Sequence, residues 1–174
     1  FFVFALMAGQ IVKAAGSDPA KFTELMKFYL WYGFVVIFGL VTMAFVVYPL
    51  IVKAMTGMGF GKFLGGVRDA QITAFSTSSS VATLPVTMDC LENNIGASKS
   101  TASFVLPIGA TVNMDGTSLY QAVAVVAMAQ FHMIDLSIAQ QAIIVGTATL
   151  ASIGAAAIPS AGLVLMMVVL ESVG

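Results

Sequence analysis

The chain has 174 residues, of which 59% are hydrophobic and 9% are charged, whereas about 25% of the residues in ordinary soluble domains are charged. This composition predicts a membrane protein. The net charge of −1 excludes the basic footprint of a nucleic-acid-binding protein, and the single cysteine, Cys90, excludes an intrachain disulfide or a cysteine-based metal cage.

The first apolar run begins at Phe1 without a start methionine, and we interpret the chain as part of a longer protein. Residues 1–12 are too short to span a bilayer, which takes about 20 apolar residues, and are interpreted as the end of a helix. After a polar connection, Phe28–Val52 gives 25 residues without a charge. This length predicts a spanning helix, with Tyr48 among the aromatic residues that mark its ends at the membrane interface.

The next part of the chain predicts a hairpin. The glycine-rich segment Lys53–Asp69 is interpreted as a flexible surface loop followed by a helix start. Ala70–Met88 is uncharged but contains eight hydroxyl side chains. The serines at 78–80 disfavour a helix interior, and Pro85 is expected to break the helix shortly after. We predict two short helical arms that meet at a broken tip, a re-entrant hairpin beside a cavity; the alternative is a serine-rich surface loop.

The following apolar segment, Thr101–Gln130, has one charged side chain, Asp115. Near the bilayer midplane a charge costs at least ~2.5–3.5 kcal/mol, so the carboxylate should face protein, water or a cation. Asn113 and Thr117 would share a helical face beside it, and Gly116 would let the backbone leave helical geometry. These oxygens suit a hard cation such as Na⁺. The alternative is a buried polar kink that only fixes helix packing.

The last apolar stretch, Leu136–Leu170, has 35 uncharged residues, too many for one span and too few for two spans and a turn. Gly154, Pro159 and Gly162 are expected to interrupt any helix at its centre. Two arms of about 15 residues cannot each cross ~30 Å of hydrocarbon at 1.5 Å per residue. We therefore predict a second re-entrant hairpin.

Three motifs in this order resemble the signatures of the dicarboxylate/amino acid:cation symporters, the glutamate transporter family. They are TSSSVATLP at Thr77–Pro85, NMDGT at Asn113–Thr117 and ASIGAAAIPSAG at Ala151–Gly162. Paired interrupted segments around a midplane site are known from several secondary transporters, an archaeal member of this family among them. The resemblance covers the whole chain and indicates a bacterial-type member without the N-terminal helices and the last helix. It implies an all-α membrane protein with spanning helices and two re-entrant helical hairpins.

The resemblance also divides the chain into two parts. Residues 1–56 would contain the end of the fifth helix, at 1–15, and the sixth transmembrane helix, at 25–53. Residues 57–174 would form the transport core. That core would have three parts in chain order, the first hairpin, the seventh helix and the second hairpin, at residues 58–95, 99–132 and 136–174.

Binding residues are implied by the same resemblance. The amino-acid substrate would lie between the hairpin tips and the unwound seventh helix, at Ser79, Ser80, Met114, Thr117, Ile158 and Gly162. Sodium ions would bind to carbonyl and side-chain groups of Gly109, Thr111, Asn113, Met114, Asp115, Ser152, Ile153 and Ala155. Ser79 and Ser80 would meet a substrate carboxylate through hydroxyl and backbone N–H groups. A thioether is a poor ligand for a hard ion, so Met114 is assigned to coupling geometry more than to cation affinity.

The implied function is sodium-coupled symport of an acidic amino acid, glutamate or aspartate. The protein would be a multi-pass homotrimer in the plasma membrane, here the bacterial inner membrane, with Na⁺ as coupling ion, no other cofactor and no nucleic-acid partner. Neutral amino acids and C4-dicarboxylates stay open as substrates. Gln121 stands where animal glutamate transporters have a proton-accepting glutamate, so their proton and potassium coupling is not expected here.

Two other classes of function are open. An intramembrane serine hydrolase would use one of the serines at 78–80 as nucleophile and His132 as base, which requires the two groups to lie within hydrogen-bond reach. A passive channel would need an open polar pore in place of an occluded site.

Overall fold

The computed structural model describes residues 9, 11–13, 16, 18–154 and 161–171. Within these residues all regular secondary structure is helical, and no strand occurs. Nine helices are numbered here in chain order: α1 (Pro19–Thr42), α2 (Tyr48–Thr56), α3 (Phe60–Gly66), α4 (Arg68–Thr77), α5 (Ser80–Asp89), α6 (Lys99–Val112), α7 (Asp115–Phe131), α8 (Ile138–Gly154) and α9 (Ala161–Glu171). Two π-helical segments, Met43–Val47 and Cys90–Ile95, join α1 to α2 and extend α5. The predicted all-α class is confirmed.

Helices α1 and α2 form one continuous stretch of 38 residues, Pro19–Thr56. Asp18 caps its start by accepting a hydrogen bond from the Ala20 N–H at 2.9 Å. Gly57, at φ +72°, ends it in a left-handed conformation that glycine adopts without strain. Within the described part of the chain, this is the one helix that is long and apolar enough to cross a membrane, and only 6% of its most apolar window is buried. Few residues of this window are therefore fully buried by the rest of the described chain.

Helix α3 lies in Lys53–Asp69, where a surface loop was predicted. The five glycines of that segment favour a loop, but α3 is stabilised by packing against the second π-helical segment. The Asn94 side-chain amide donates a hydrogen bond to the Gly66 carbonyl at 2.9 Å. A Cβ added at Gly66 would lie 2.5 Å from Cδ1 of Ile95. The predicted loop is limited to residues 57–59 and the predicted helix start lies at Phe60, because tertiary contacts outweigh a weak local preference.

We expect Gly66→Ala to give the full-length protein a lower thermal stability than Gly65→Ala, because the methyl group added at residue 66 would displace the end of the Ile95 side chain. Gly65→Ala is the matched control, since nothing lies within 4 Å of a Cβ added there and alanine favours a helix by ~1 kcal/mol over glycine. Melting temperatures of both variants in detergent measure the difference in stability between them, which should correspond to about 1–2 kcal/mol of unfolding free energy. Equal melting temperatures would contradict this packing.

Helices α4 and α5 form the first hairpin, and its turn consists of Ser78 and Ser79. Ser78 adopts a left-handed conformation, with φ +50° and ψ +31°. Ser79 is extended and caps α5, its hydroxyl accepting a hydrogen bond from the Ala82 N–H at 3.2 Å. The hydroxyls of Thr77 and Thr83 lie 3.2 Å apart and join the two arms. The turn lies where the serine run predicted a break, while re-entry of the hairpin into a bilayer stays a prediction.

Pro85 lies inside α5 and does not break it, so the break predicted at this proline was wrong. A proline removes one backbone donor and crowds the carbonyl four residues earlier. The neighbouring turns keep their hydrogen bonds, and α5 also packs against α4 and α6. These contacts outweigh the local cost.

Helices α8 and α9 pack against each other and against α7. Their shared core consists of Val125, Ile144, Ala148 and Val169, none of which is more than 1% exposed. Gly154 is the last residue of α8 and Gly162 is the second residue of α9, so Gly162 continues a helix where an interruption was predicted. The tip predicted for this second hairpin, with Pro159, lies outside the described residues.

Candidate ion and substrate site

The helix that was predicted to carry Asp115 is divided into α6 and α7 by two non-helical residues. Asn113 has φ −91° and ψ +77°, and Met114 has φ −108° and ψ +54°. Gly116 lies within α7, so the prediction that it would release the backbone was wrong. The shared helical face of Asn113 and Thr117 was also wrong, because Asn113 precedes α7. Asparagine tolerates such a conformation because its side chain forms local hydrogen bonds.

Asp115 is the first residue of α7 and is half-buried. Its Oδ2 accepts a hydrogen bond from the hydroxyl of Tyr48, at the start of α2. The Asn113 amide is assigned with its nitrogen towards the carboxylate, 2.7 Å from Oδ1 and 3.0 Å from Oδ2, because this orientation satisfies both groups. Two donors from different parts of the chain therefore stabilise the carboxylate.

A cavity of about 1140 Å³ lies in front of this carboxylate. Asp115, Gly116 and Tyr120 of α7 form one wall, and Tyr48 with the adjoining π-helical segment forms another. Ser76 and Ser78, at the end of α4 and in the turn of the first hairpin, line the same space. The carboxylate and the first serine of the tip thus face a common cavity.

Two of the predicted cation ligands lie in the last turns of α6. The Gly109 carbonyl accepts a hydrogen bond from the Asn113 N–H at 2.9 Å. The Thr111 hydroxyl donates to the Ile108 carbonyl at 2.9 Å. Both residues therefore lie directly before the helix break, one turn or less from Asn113.

Two further predicted cation ligands, Ser152 and Ile153, lie in the last turn of α8. Ser152 is buried and its hydroxyl donates to the Thr149 carbonyl at 2.8 Å, while the neighbouring Ile153 is exposed. Helices α6 and α8 pack against each other, so the two groups of predicted ligands lie on neighbouring helices. Ala155 lies outside the described residues.

The predicted substrate residues are distributed over three places. Ser79 and Ser80 lie at the start of α5, where Ser79 is half-buried and Ser80 is exposed. Met114 lies in the helix break and Thr117 in the first turn of α7, where the Thr117 N–H donates to the Met114 carbonyl at 2.9 Å. Gly162 lies in α9, and Ile158 is outside the described residues.

Tyr48 is the site residue that the sequence did not reveal. It was interpreted as an interfacial aromatic residue, yet it bonds Asp115 from a position 67 residues earlier in the chain. Only the packing of the first helical stretch against α7 brings the two side chains together. No local sequence pattern carries that information.

His132 lies at the opposite end of α7 from Asp115, and its Nδ1 is 2.9 Å from the Met128 carbonyl. The 17 residues of α7 span about 25 Å at 1.5 Å per residue. Ser78 lines the cavity at the Asp115 end. The geometry therefore gives no support to a serine hydrolase that pairs these serines with His132.

The chain is similar over its whole length to known membrane transporters. The model of the sodium:dicarboxylate symporter family matches residues 1–174. The chain is 44% identical over 174 residues to an excitatory amino acid transporter of Caenorhabditis elegans, covering 100% of this chain and 34% of that protein. It is 52% identical over 177 residues to excitatory amino acid transporter 1 of Mus musculus and of Homo sapiens, covering 99% of this chain and 31% of each. The chain thus spans about a third of the length of these curated relatives.

Proposed function

Because the chain belongs to the sodium:dicarboxylate symporter family of membrane transporters, we propose that its full-length protein couples Na⁺ entry to the uptake of glutamate or aspartate. The observation that carries the proposal is the placement of Asp115 directly after a helix break, facing the same cavity as the tip of the first hairpin. The names of its relatives, excitatory amino acid transporters, support an amino acid as the substrate. Family and relatives are transporters and not enzymes.

In the proposed mechanism, the Asp115 carboxylate would bind Na⁺. The Asn113 amide, which donates to that carboxylate, would rotate to offer its oxygen to the ion. Further oxygen ligands would come from the end of α6, at Gly109 and Thr111, from the end of α8, at Ser152 and Ile153, and from Ala155. A neutralised carboxylate is much less costly at membrane depth than a bare one, so ion binding would favour closure of the site.

Substrate binding would be coupled to the ion through the first turn of α7, which contains both Asp115 and Thr117. Thr117 would hydrogen-bond the substrate beside the ion, and Met114 would set the geometry of the break. The serines at the start of α5, Ser79 and Ser80, would bind a substrate carboxylate. Ile158 and Gly162 would close over the substrate from the second hairpin.

We also propose a location and an assembly. The plasma membrane is the expected location of the multi-pass protein, and this would be the inner membrane if the source is bacterial. A homotrimer is the expected assembly. The family resemblance supports both the location and the homotrimer. Cross-linking of the purified full-length protein measures the number of subunits.

Purified full-length protein in proteoliposomes tests the function. With an inward Na⁺ gradient, radiolabelled aspartate or glutamate should accumulate above its external concentration, saturably, and replacing Na⁺ by choline should abolish accumulation. Alanine and succinate, tested in parallel, decide between acidic amino acids and the neutral or C4-dicarboxylate alternatives. Uptake that only equilibrates and does not saturate would indicate a channel and contradict the proposal.

A further inference from the structure

The hydrogen bond from Tyr48 to Asp115 joins two distant parts of the chain. Tyr48 is half-buried at the start of α2, and its hydroxyl donates to Oδ2 of the carboxylate. Both side chains line the cavity of about 1140 Å³. The Asn113 amide also donates hydrogen bonds to this carboxylate, but Asn113 belongs to the adjacent helix break. Tyr48 is the donor that reaches it from the membrane-spanning stretch.

The backbone before Tyr48 has an unusual form that determines where this side chain points. Met43–Val47 is π-helical, and the Tyr48 N–H donates to the Met43 carbonyl five residues earlier. A π turn rotates the residues after it around the helix axis relative to a regular α-helix, and such turns recur at functional sites. The turn thus directs Tyr48 towards α7.

Pro49 gives a physical reason for this π turn. It is buried and follows Tyr48 directly. In a regular α-helix its ring would crowd the carbonyl of Phe45, four residues earlier, and it has no N–H to donate. The wider π turn relieves that crowding. The sequence at this point therefore favours the backbone that brings the hydroxyl to Asp115.

We propose that Tyr48 is a positioning residue for sodium binding, whose hydroxyl fixes the orientation of the Asp115 carboxylate towards Asn113 and the cavity. The proposal rests on the proposed function. A carboxylate held by donors on both sides is oriented before an ion arrives, so ion binding need not order it. Loss of the hydroxyl should therefore weaken sodium binding and leave substrate contacts intact.

Tyr48→Phe in the full-length protein tests this inference. We expect the Na⁺ concentration for half-maximal uptake to rise about tenfold, in keeping with the loss of one hydrogen bond to a charged group. At saturating Na⁺, the maximal rate and the substrate half-saturation should change less than about twofold. A role limited to folding would not produce this separation of sodium affinity from rate.

Tyr29→Phe is the matched control, because it removes the same hydroxyl group from a tyrosine of the same helical stretch. Tyr29 is exposed, packs against Phe28 and lines a different cavity. It should leave sodium affinity unchanged. Wild-type sodium affinity in Tyr48→Phe would overturn the inference, whereas wild-type protein without sodium-driven uptake would overturn the proposed function instead.

Pro49→Ala provides a second variant if Tyr48→Phe does not give folded protein. It keeps the hydroxyl and releases the constraint that favours the π turn. Thermal stabilisation of the purified variant by Na⁺ alone should then require a severalfold higher Na⁺ concentration than the wild type. An unchanged requirement in this variant would count against the positioning role.

Discussion

Asp115→Asn is expected to reduce sodium-dependent uptake by at least about a hundredfold, because it removes the negative charge at the cavity while keeping the size of the side chain. A loss of ~2.7 kcal/mol in ion binding gives this factor, and it is less than the ~4 kcal/mol of attraction between opposite unit charges about 4 Å apart near a protein surface. The hydroxyl of Tyr48, which donates to the carboxylate, would then face a neutral amide. Initial rates of uptake over a range of Na⁺ concentrations measure the effect.

Asp135→Asn is the control for that change, since Asp135 is exposed in the connection between α7 and α8. It removes the same charge outside the cavity and should leave both the rate and the sodium dependence as in the wild type. Should Asp115→Asn retain wild-type sodium-dependent uptake, the assignment of Asp115 to the cation site would be wrong.

Ser78→Val is expected to lower uptake, by up to about thirtyfold. Ser78 has φ +50°, a conformation that costs a side chain roughly 1–2 kcal/mol and costs more for a β-branched residue such as valine. If ~2 kcal/mol falls on the turn that serves the cavity, the equilibrium ratio of the correct turn to altered turns decreases by this factor, which sets the upper limit of the loss in uptake. Uptake rates and the melting temperature of the purified protein should decrease together.

Ser78→Gly removes the hydroxyl and permits the same backbone conformation without strain. We expect it to retain most of the wild-type uptake, because binding of the substrate carboxylate is assigned to Ser79 and Ser80. Equal losses in the valine and glycine variants would show that the Ser78 hydroxyl matters and that the left-handed turn does not.

The parts of the site that could be predicted from the sequence are those governed by the membrane. A lone carboxylate in an apolar segment requires partners, and consecutive serines in such a segment disfavour a helix interior. These constraints predicted polar partners for Asp115 and a break in the helix at the serine run, where the turn at Ser78 and Ser79 lies. The lone carboxylate and the serine run each act on residues that are near in sequence. Their effects can therefore be predicted without knowledge of the tertiary structure.

The parts that could not be predicted depend on packing between distant residues. Helix α3 forms because Gly66 meets Asn94 and Ile95, and α5 continues through Pro85 while it packs against its neighbours. The exact residues of the break, Asn113 and Met114, follow from hydrogen bonding to Asp115 and not from the glycine beside it. Each error came from giving a glycine or a proline more weight than the contacts around it.

The division between α6 and α7 has an electrostatic consequence. The peptide dipoles of a helix sum to roughly half a negative charge at its C-terminus and half a positive charge at its N-terminus. Because two residues separate the helices, the negative end of one and the positive end of the other lie next to each other. The negative end favours a cation, and the positive end favours an anionic group such as the Asp115 carboxylate in the first turn of α7.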